Sequence, residues 1–307
     1  MNNPLVSIIV ITYNSEKYVL ETLESAKSQT YKNIELIITD DSSIDNTAEI
    51  CRIWIEKNKA RFVRTKVITV SENTGIPSNC NRGVKAAKGE WIKLIAGDDC
   101  LINTCLENYV KYVLRHPEIE VVHSDLLIYK DSFKEEFKIP SKKKILRFND
   151  FAASPGFQFQ VLLRFNPIKA PTVFIKKDVL RRLEYFDESL RLTEDRSMWL
   201  KMTQNNIKIY YLAENTIMYR LHNASVQNFE SVKKIFSRAK LEREAFLVNY
   251  LIYLPFFERK IRKMEIRRKQ LLDKLGFNNP SIISRIINKI SGVPLIYILN
   301  CIKRKYI

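Results

Sequence analysis

Glycine is scarce in this chain, seven residues in 307. None of them forms the GxGxxG fingerprint that would follow the first strand of a dinucleotide-binding fold, which weakens that reading. The five cysteines, Cys51, Cys80, Cys100, Cys105 and Cys301, are odd in number and lack CxxC spacing. That pattern argues against a disulfide framework or a structural zinc site and is expected to leave reduced thiols. No apolar run reaches the length of about 20 residues that a spanning helix needs; the nearest, 246–257, is broken by Asn249 and Pro255. There is no basic leader with a small-residue cleavage site before the first strand-like run, so no secretory signal is expected. The sequon Asn223-Ala-Ser225 is then expected to stay unmodified. Low-complexity tracts and fixed-period repeats are also missing. The expectation is a folded chain in the cytoplasm, soluble or peripheral on the inner face of the cell membrane.

The apolar content of 46% is enough for one sizeable core. The formal net charge of +17 is concentrated at one end: residues 233–307 hold 18 Lys and Arg against 5 Asp and Glu. A basic segment of that kind serves nucleic acid, an anionic membrane surface or solubility.

Residues 6–12, VSIIVIT, are nearly all apolar or β-branched, as a strand buried on both faces should be. A helix is predicted over 19–29, a strand over 35–39, a helix from Asp45 on good capping residues, and a strand over 66–70. Another helix follows over 79–87 and another strand over 90–96. Strand–helix alternation with short connections predicts an α/β fold with an open, mostly parallel sheet covered on both faces. Ligands of such sheets lie beyond the carboxyl ends of the strands, where Tyr13, Asp40, Asp41, Asp98 and Asp99 stand. Farther on, 106–114 reads as a helix and 121–123, 126–129 and 207–212 as strands, while 130–170 is loop-rich. Helical stretches over 233–250, 258–275 and 281–290 set off a second unit, with a boundary near 232.

Two acidic pairs carry the chemistry. Asp98-Asp99 follows a buried strand directly, and adjacent carboxylates raise each other's pKa. A hard divalent cation, Mg²⁺ or Mn²⁺, would offset that repulsion, with a nucleoside diphosphate completing its coordination; a solvated turn is the plainer alternative. Glu194-Asp195 opens a helical stretch, where acids also simply complement the helix dipole.

In order and spacing, VSIIVITYN (6–14), SQTY (28–31), IELIITDDSSIDNT (34–47), SENTG (71–75) and CNRGVKAAKGEWIKLIAGDD (80–99) resemble the family 2 inverting glycosyltransferases of the GT-A fold. The resemblance runs over roughly residues 4–225. It implies transfer of a sugar, a hexose or N-acetylhexosamine, from a nucleotide-sugar donor, UDP by family likeness, to a hydroxyl of a lipid-linked saccharide. Such transfers build cell-surface polysaccharides. Carried over, Tyr13 would stack on the nucleobase and Asp41 would bond it, with Asn73 and Asn81 around the donor. Asp99 would be the principal metal ligand, with Asp98 beside it near the sugar or the metal. Asp195 matches the family's catalytic base. In MYRLHNASV (218–226), His222 would ligate the metal or touch the diphosphate, and Arg220 would neutralise phosphate charge. The chain departs from the fuller pattern at Ala96, where an acid is usual, so fewer carboxylates remain to hold an ion.

The tail's amphipathic basic helices fit an anionic membrane surface, at about 1 kcal/mol per basic residue near it. A solvated helical cap is the alternative. Two other classes compete: a catalytically silent sugar-nucleotide or carbohydrate binder, and a nucleic-acid binder. Asp99 together with Asp195 argues against the first. The second lacks any recognition motif, so no nucleic-acid partner is expected.

Overall fold

The computed structural model of the protein describes residues 3–140, 146–192, 194–222 and 234–306. The first half alternates as the sequence predicts: β1 (Val6–Thr12), α1 (Val19–Lys27), β2 (Ile34–Asp40), α2 (Thr47–Asn58), β3 (Arg64–Thr69), α3 (Ile76–Ala86) and β4 (Trp91–Ala96). The second half adds β5 (Cys100–Leu101), α4 (Cys105–Arg115), β6 (Val121–Lys130), β7 (Lys138–Ile139), α5 (Pro155–Leu162), β8 (Val173–Lys176), α6 (Lys177–Arg182), α7 (Asp195–Gln204) and β9 (Tyr210–Leu221). Three helices close the chain: α8 (Arg238–Leu247), α9 (Phe256–Lys274) and α10 (Ile282–Arg304).

The strands form one sheet in the order β3-β2-β1-β4-β8-β6-β9-β5, with β7 beside β6. Parallel pairing joins β3, β2, β1 and β4, as expected. Beyond β4 the sheet turns mixed: β8 runs antiparallel to both β4 and β6, β5 antiparallel to β9, and β9 parallel to β6. The expectation of a mostly parallel sheet therefore describes the β3-β2-β1-β4 half, and the sheet as a whole is mixed. Helical crossovers, which parallel neighbours require, join those first four strands, and the parallel pair β6 and β9 is joined by a longer connection that holds α5, β8, α6 and α7.

Alternation along β1 sends Ile9 to one face and Ile8 and Val10 to the other. Ile9 joins a core with Val84 of α3, Val161 of α5 and Trp199 of α7. Ile8 and Val10 join one with Leu23 of α1, Trp54 of α2 and Tyr109 of α4. Position 93, on β4, breaks the apolar run with a fully buried lysine. Its ammonium donates to the carbonyls of Pro171 and Val173, and burial pulls its pKa down to about 8.

The C-terminal helices are built into the body. Leu247, Leu251, Leu254 and Ile266 belong to the same core as Ile9. The buried Arg164 of the preceding region pairs with the buried Glu258 of α9 at 2.6 Å. The boundary expected near 232, and the sequon at 223–225, lie outside the described residues. Among the described residues no single helix is long and apolar enough to cross a membrane. The segments Ile282–Gly292 and Leu295–Arg304 reach that length only as a pair bent by 59°.

Candidate active site

Gly97 follows β4 directly, and its backbone passes so close to the end of β1 that a Cβ there would sit 2.9 Å from Thr12 Cγ2. The following turn carries Asp98 and the buried Asp99. Thr22 Oγ1 donates to the Asp99 carbonyl at 2.7 Å, and the backbone N–H of Arg220 donates to Asp99 Oδ1 at 2.9 Å. His222 Nε2 lies 2.9 Å from Asp98 Oδ2. Burial, and then the charge of Asp98, hold the Asp99 carboxyl well above the ordinary carboxylate range, against the pull of Arg220.

The second acidic pair stands at the start of α7. Asn166 Nδ2 donates to Asp195 Oδ2 at 2.7 Å, and the backbone N–H of Arg196 donates to Oδ1 at 2.6 Å, which fixes the carboxylate from both oxygens. Burial, then the neighbouring charge of Asp195, push Glu194 up to about 8. Asp98, Asp99, Glu194 and Asp195 all line one cavity of about 590 Å³ with an apolar floor that includes Ile11, Leu94 and Ile168. Tyr219 lines it too. Its hydroxyl is raised by burial and then by the charges of Asp99, Asp98, Glu194 and Asp195, so one phenol responds to both acidic pairs.

The remaining expected residues do not line this cavity. Tyr13 projects from the end of β1, 49% exposed, with its ring open to solvent. Asp41 is buried, and four protein donors saturate its carboxylate: Thr74 Oγ1, Arg82, and the N–H groups of Thr74 and Gly75. Burial would raise its pKa, but those bonds outweigh it and hold the carboxyl below the ordinary value. Against the expectation of a base contact, its oxygens are already used to bind the loop at 73–75. Asn81 likewise spends its amide on Phe186 and Glu188 and so braces the loop that carries them. Asn73 is exposed, with its carbonyl accepting from Arg191. Arg220 is buried and held by protein partners. Its three guanidinium nitrogens donate to Asp98 O, Asp131 O and Glu21 Oε2 while the plane lies over Phe133 and Tyr18. These bonds tie it to the acidic turn, through the Asp98 carbonyl and through its own N–H on Asp99, and leave one N–H on each terminal nitrogen.

Sequence reasoning missed Asn166, which lies in the stretch 130–170 where no motif could be read, and Tyr219, which stands inside a quoted motif. It also missed Lys240 and Arg243, which α8 brings to the cavity wall from the segment set apart as a separate unit.

Among the described residues no three His, Cys, Asp or Glu side chains converge as a ready-made metal site. The protein offers two adjacent carboxylates at a strand end, one of them buried and destabilised as an anion. Hard oxygen donors under mutual repulsion fit Mg²⁺ or Mn²⁺, with a diphosphate or water supplying the other ligands. His222 bonds Asp98 and would orient that ligand from outside the coordination sphere.

The model of the family described as Glycosyl transferase family 2 matches residues 7–168. The chain is 31% identical over 228 residues to an Escherichia coli protein described as UDP-Glc:alpha-D-GlcNAc-diphosphoundecaprenol beta-1,3-glucosyltransferase WfaP, across 72% of this chain and 79% of that one. In fold it is similar to S. aureus TarS 1-349, solved in complex with UDP-GlcNAc, with a TM-score of 0.60 at 20% identity, over 85% of this chain and 71% of that one. It is also similar to the mannosyltransferase PcManGT of Pyrobaculum calidifontis, solved with GDP-Man and Mn²⁺, with a TM-score of 0.57 at 18% identity, over 82% and 64% of the two chains. These likenesses show a GT-A-like fold.

Proposed function

This chain belongs to glycosyl transferase family 2, and from that premise we propose that it moves one sugar, with inversion, from a nucleotide-sugar to a hydroxyl of a lipid-linked saccharide. WfaP, by its description, acts on such a lipid-linked diphosphate acceptor with UDP-glucose, and this supports a UDP-hexose or UDP-N-acetylhexosamine donor here. The observation that carries the reading is that Asp195 and the Asp98-Asp99 turn, 96 residues apart, line one cavity.

In the proposed reaction Asp195, held by Asn166, takes the proton of the acceptor hydroxyl. The oxygen then attacks the anomeric carbon from the face opposite the leaving group. The new C–O bond forms as the bond to the diphosphate breaks, and the nucleoside diphosphate departs with the electron pair. A divalent ion held by Asp99 and Asp98 would offset the negative charge gathering on that leaving group. Exposed Tyr13 offers its ring to the base. The apolar floor excludes water from the reacting carbon and limits hydrolysis.

Asp195→Asn is the test. General-base assistance is worth about 10²–10⁴ in rate, so transfer should fall by that factor while the thermal shift produced by nucleotide-sugar and Mn²⁺ persists. Near-native transfer by the variant would remove Asp195 from the mechanism. A panel of nucleotide-sugars that produced neither thermal shift nor turnover would remove the function.

A further inference from the structure

The cavity contains a group of cations that sugar transfer as described above does not use. Arg196 follows the proposed base, is only 8% exposed, and lines the cavity. Its Nε donates to the Leu162 carbonyl at 2.8 Å, but its buried Nη2 has no hydrogen-bond partner among the described residues. Arg243, on the same wall, likewise has a buried Nε without a partner. Lys240 precedes it by one helical turn on α8 and lines the cavity as well. A buried guanidinium with unmet donors is costly unless something completes its bonds.

The acids nearby do not complete them. Glu194 is pushed up to about 8 by burial and by Asp195, so near neutral pH it carries little charge. Glu244 Oε1 accepts from the Lys269 ammonium at 2.5 Å, and its Oε2 has no hydrogen-bond partner among the described residues. It lines the cavity too, and its charge acts on Arg196, but its Oε2 bonds neither guanidinium. Asp195 has both oxygens engaged. Arg196 and Arg243 thus keep donors without partners among the described residues, with Lys240 beside them on the cavity wall. The charges acting on Arg196 are those of Arg243, Arg262, Asp195 and Glu244, whereas those acting on Asp99 are Asp98, Arg220 and Lys93. Within the shared cavity these cations thus interact more with Asp195, the group assigned to the acceptor hydroxyl, than with the turn assigned to the donor diphosphate.

We propose that Arg196, Lys240 and Arg243 form a second anion subsite that holds the phosphate or diphosphate of the acceptor. This inference rests on the reading of Asp195 as the acceptor-side base. α8 then acts as part of the acceptor site, and a saccharide without a phosphate is a poor substrate because the wall stays unpaired.

The test is calorimetry on the full chain saturated with UDP and Mg²⁺, titrated with geranyl diphosphate, inorganic pyrophosphate and geraniol. Both anions should bind the UDP-loaded protein and geraniol should not. Equal affinity of the two anions assigns recognition to the free diphosphate; tighter geranyl diphosphate assigns it to the lipid-borne group. Arg243→Gln and Lys240→Gln should each weaken anion binding tenfold or more, with UDP affinity kept within twofold and Arg243→Lys recovering part of the loss. These two positions carry the test even if Arg196→Gln fails to fold. Anions that compete with UDP, or variants that bind them as the native chain does, would overturn the subsite. A protein that binds no UDP would instead sink the donor reading, and anion binding by the unloaded native and Arg243→Gln chains would still decide the subsite.

Discussion

Gly97 fixes where the acidic turn can lie, because any side chain there would meet Thr12 and Ser15 at the end of β1. Gly97→Ala must displace either β1 or the turn. Overpacking of this kind costs about 1–3 kcal/mol, and the displaced turn carries Asp98 and Asp99. The expected outcome is a modest loss of melting temperature together with loss of the metal-dependent shift by nucleotide-sugar; an unchanged shift would mean that the turn does not hold the donor. Glu194 makes a second prediction at this scale. Its folded pKa of about 8 stands above the ordinary 4.5, so between those values the unfolded chain has released a proton that the folded one keeps. Stability is therefore lost as pH rises through that window. Glu194→Gln should melt with the native protein near pH 4.5 and above it by pH 8, with no further widening beyond. A gap that narrowed as pH rose would contradict the assignment.

Among the elements, α8 ties the basic segment expected as an extension to the body of the chain. It places Lys240 and Arg243 at the cavity and leads into Leu247, Leu251 and Leu254 of the core, while Glu242 accepts from the backbone N–H groups of Arg191 and Leu192 just ahead of the acidic pair. Truncation at 232 should therefore expose that core and abolish cooperative unfolding, as read by calorimetry or near-ultraviolet circular dichroism. A truncated chain with a native-like transition would show the helices to be dispensable to the fold. β9 made a different kind of difference. The strand expected at 207–212 instead runs over Tyr210–Leu221, and this length delivers the Arg220 N–H to Asp99 and the Tyr219 phenol to the cavity. Propensity marks that a strand exists, but its pairing with β6 and β5 sets where it ends.

Across the whole molecule, the surplus of basic residues in 233–307 coincides with an unusual exposure of large apolar side chains: Ile282 (76%), Ile290 (72%) and Tyr297 (70%) on α10, and Phe257 (78%) at the start of α9. Apolar side chains exposed beside basic ones suit an anionic bilayer surface, and docking there is our proposal for how the cavity meets a lipid-linked acceptor. The chain should sediment with vesicles containing anionic lipid and not with neutral ones, with binding falling as salt is raised. Substituting Ile282, Ile286 and Ile290 with Glu should release it without altering the melting temperature. Equal recovery in the supernatant with both vesicle types would defeat the idea.

The parallel half of the fold was legible because β1, β2 and β4 carry nearly unbroken apolar runs ending in polar residues, a pattern that buried strands require wherever they lie in a chain. The two acidic pairs were legible for the same local reason, each marking an element's end. The residues 130–170 gave no such pattern, and from them came Asn166. Asp41, Asn81 and Arg220 show what a motif does not contain: each is buried where neighbours distant in sequence bond its polar atoms and so brace the loops around the site. The sequence by itself determined the strands, the acids at their rims and the lopsided charge, since these follow from neighbours along the chain. Only the tertiary structure decided which acids share a cavity, which cations lack partners and which helix closes the wall, because burial and pairing depend on groups that folding alone brings together.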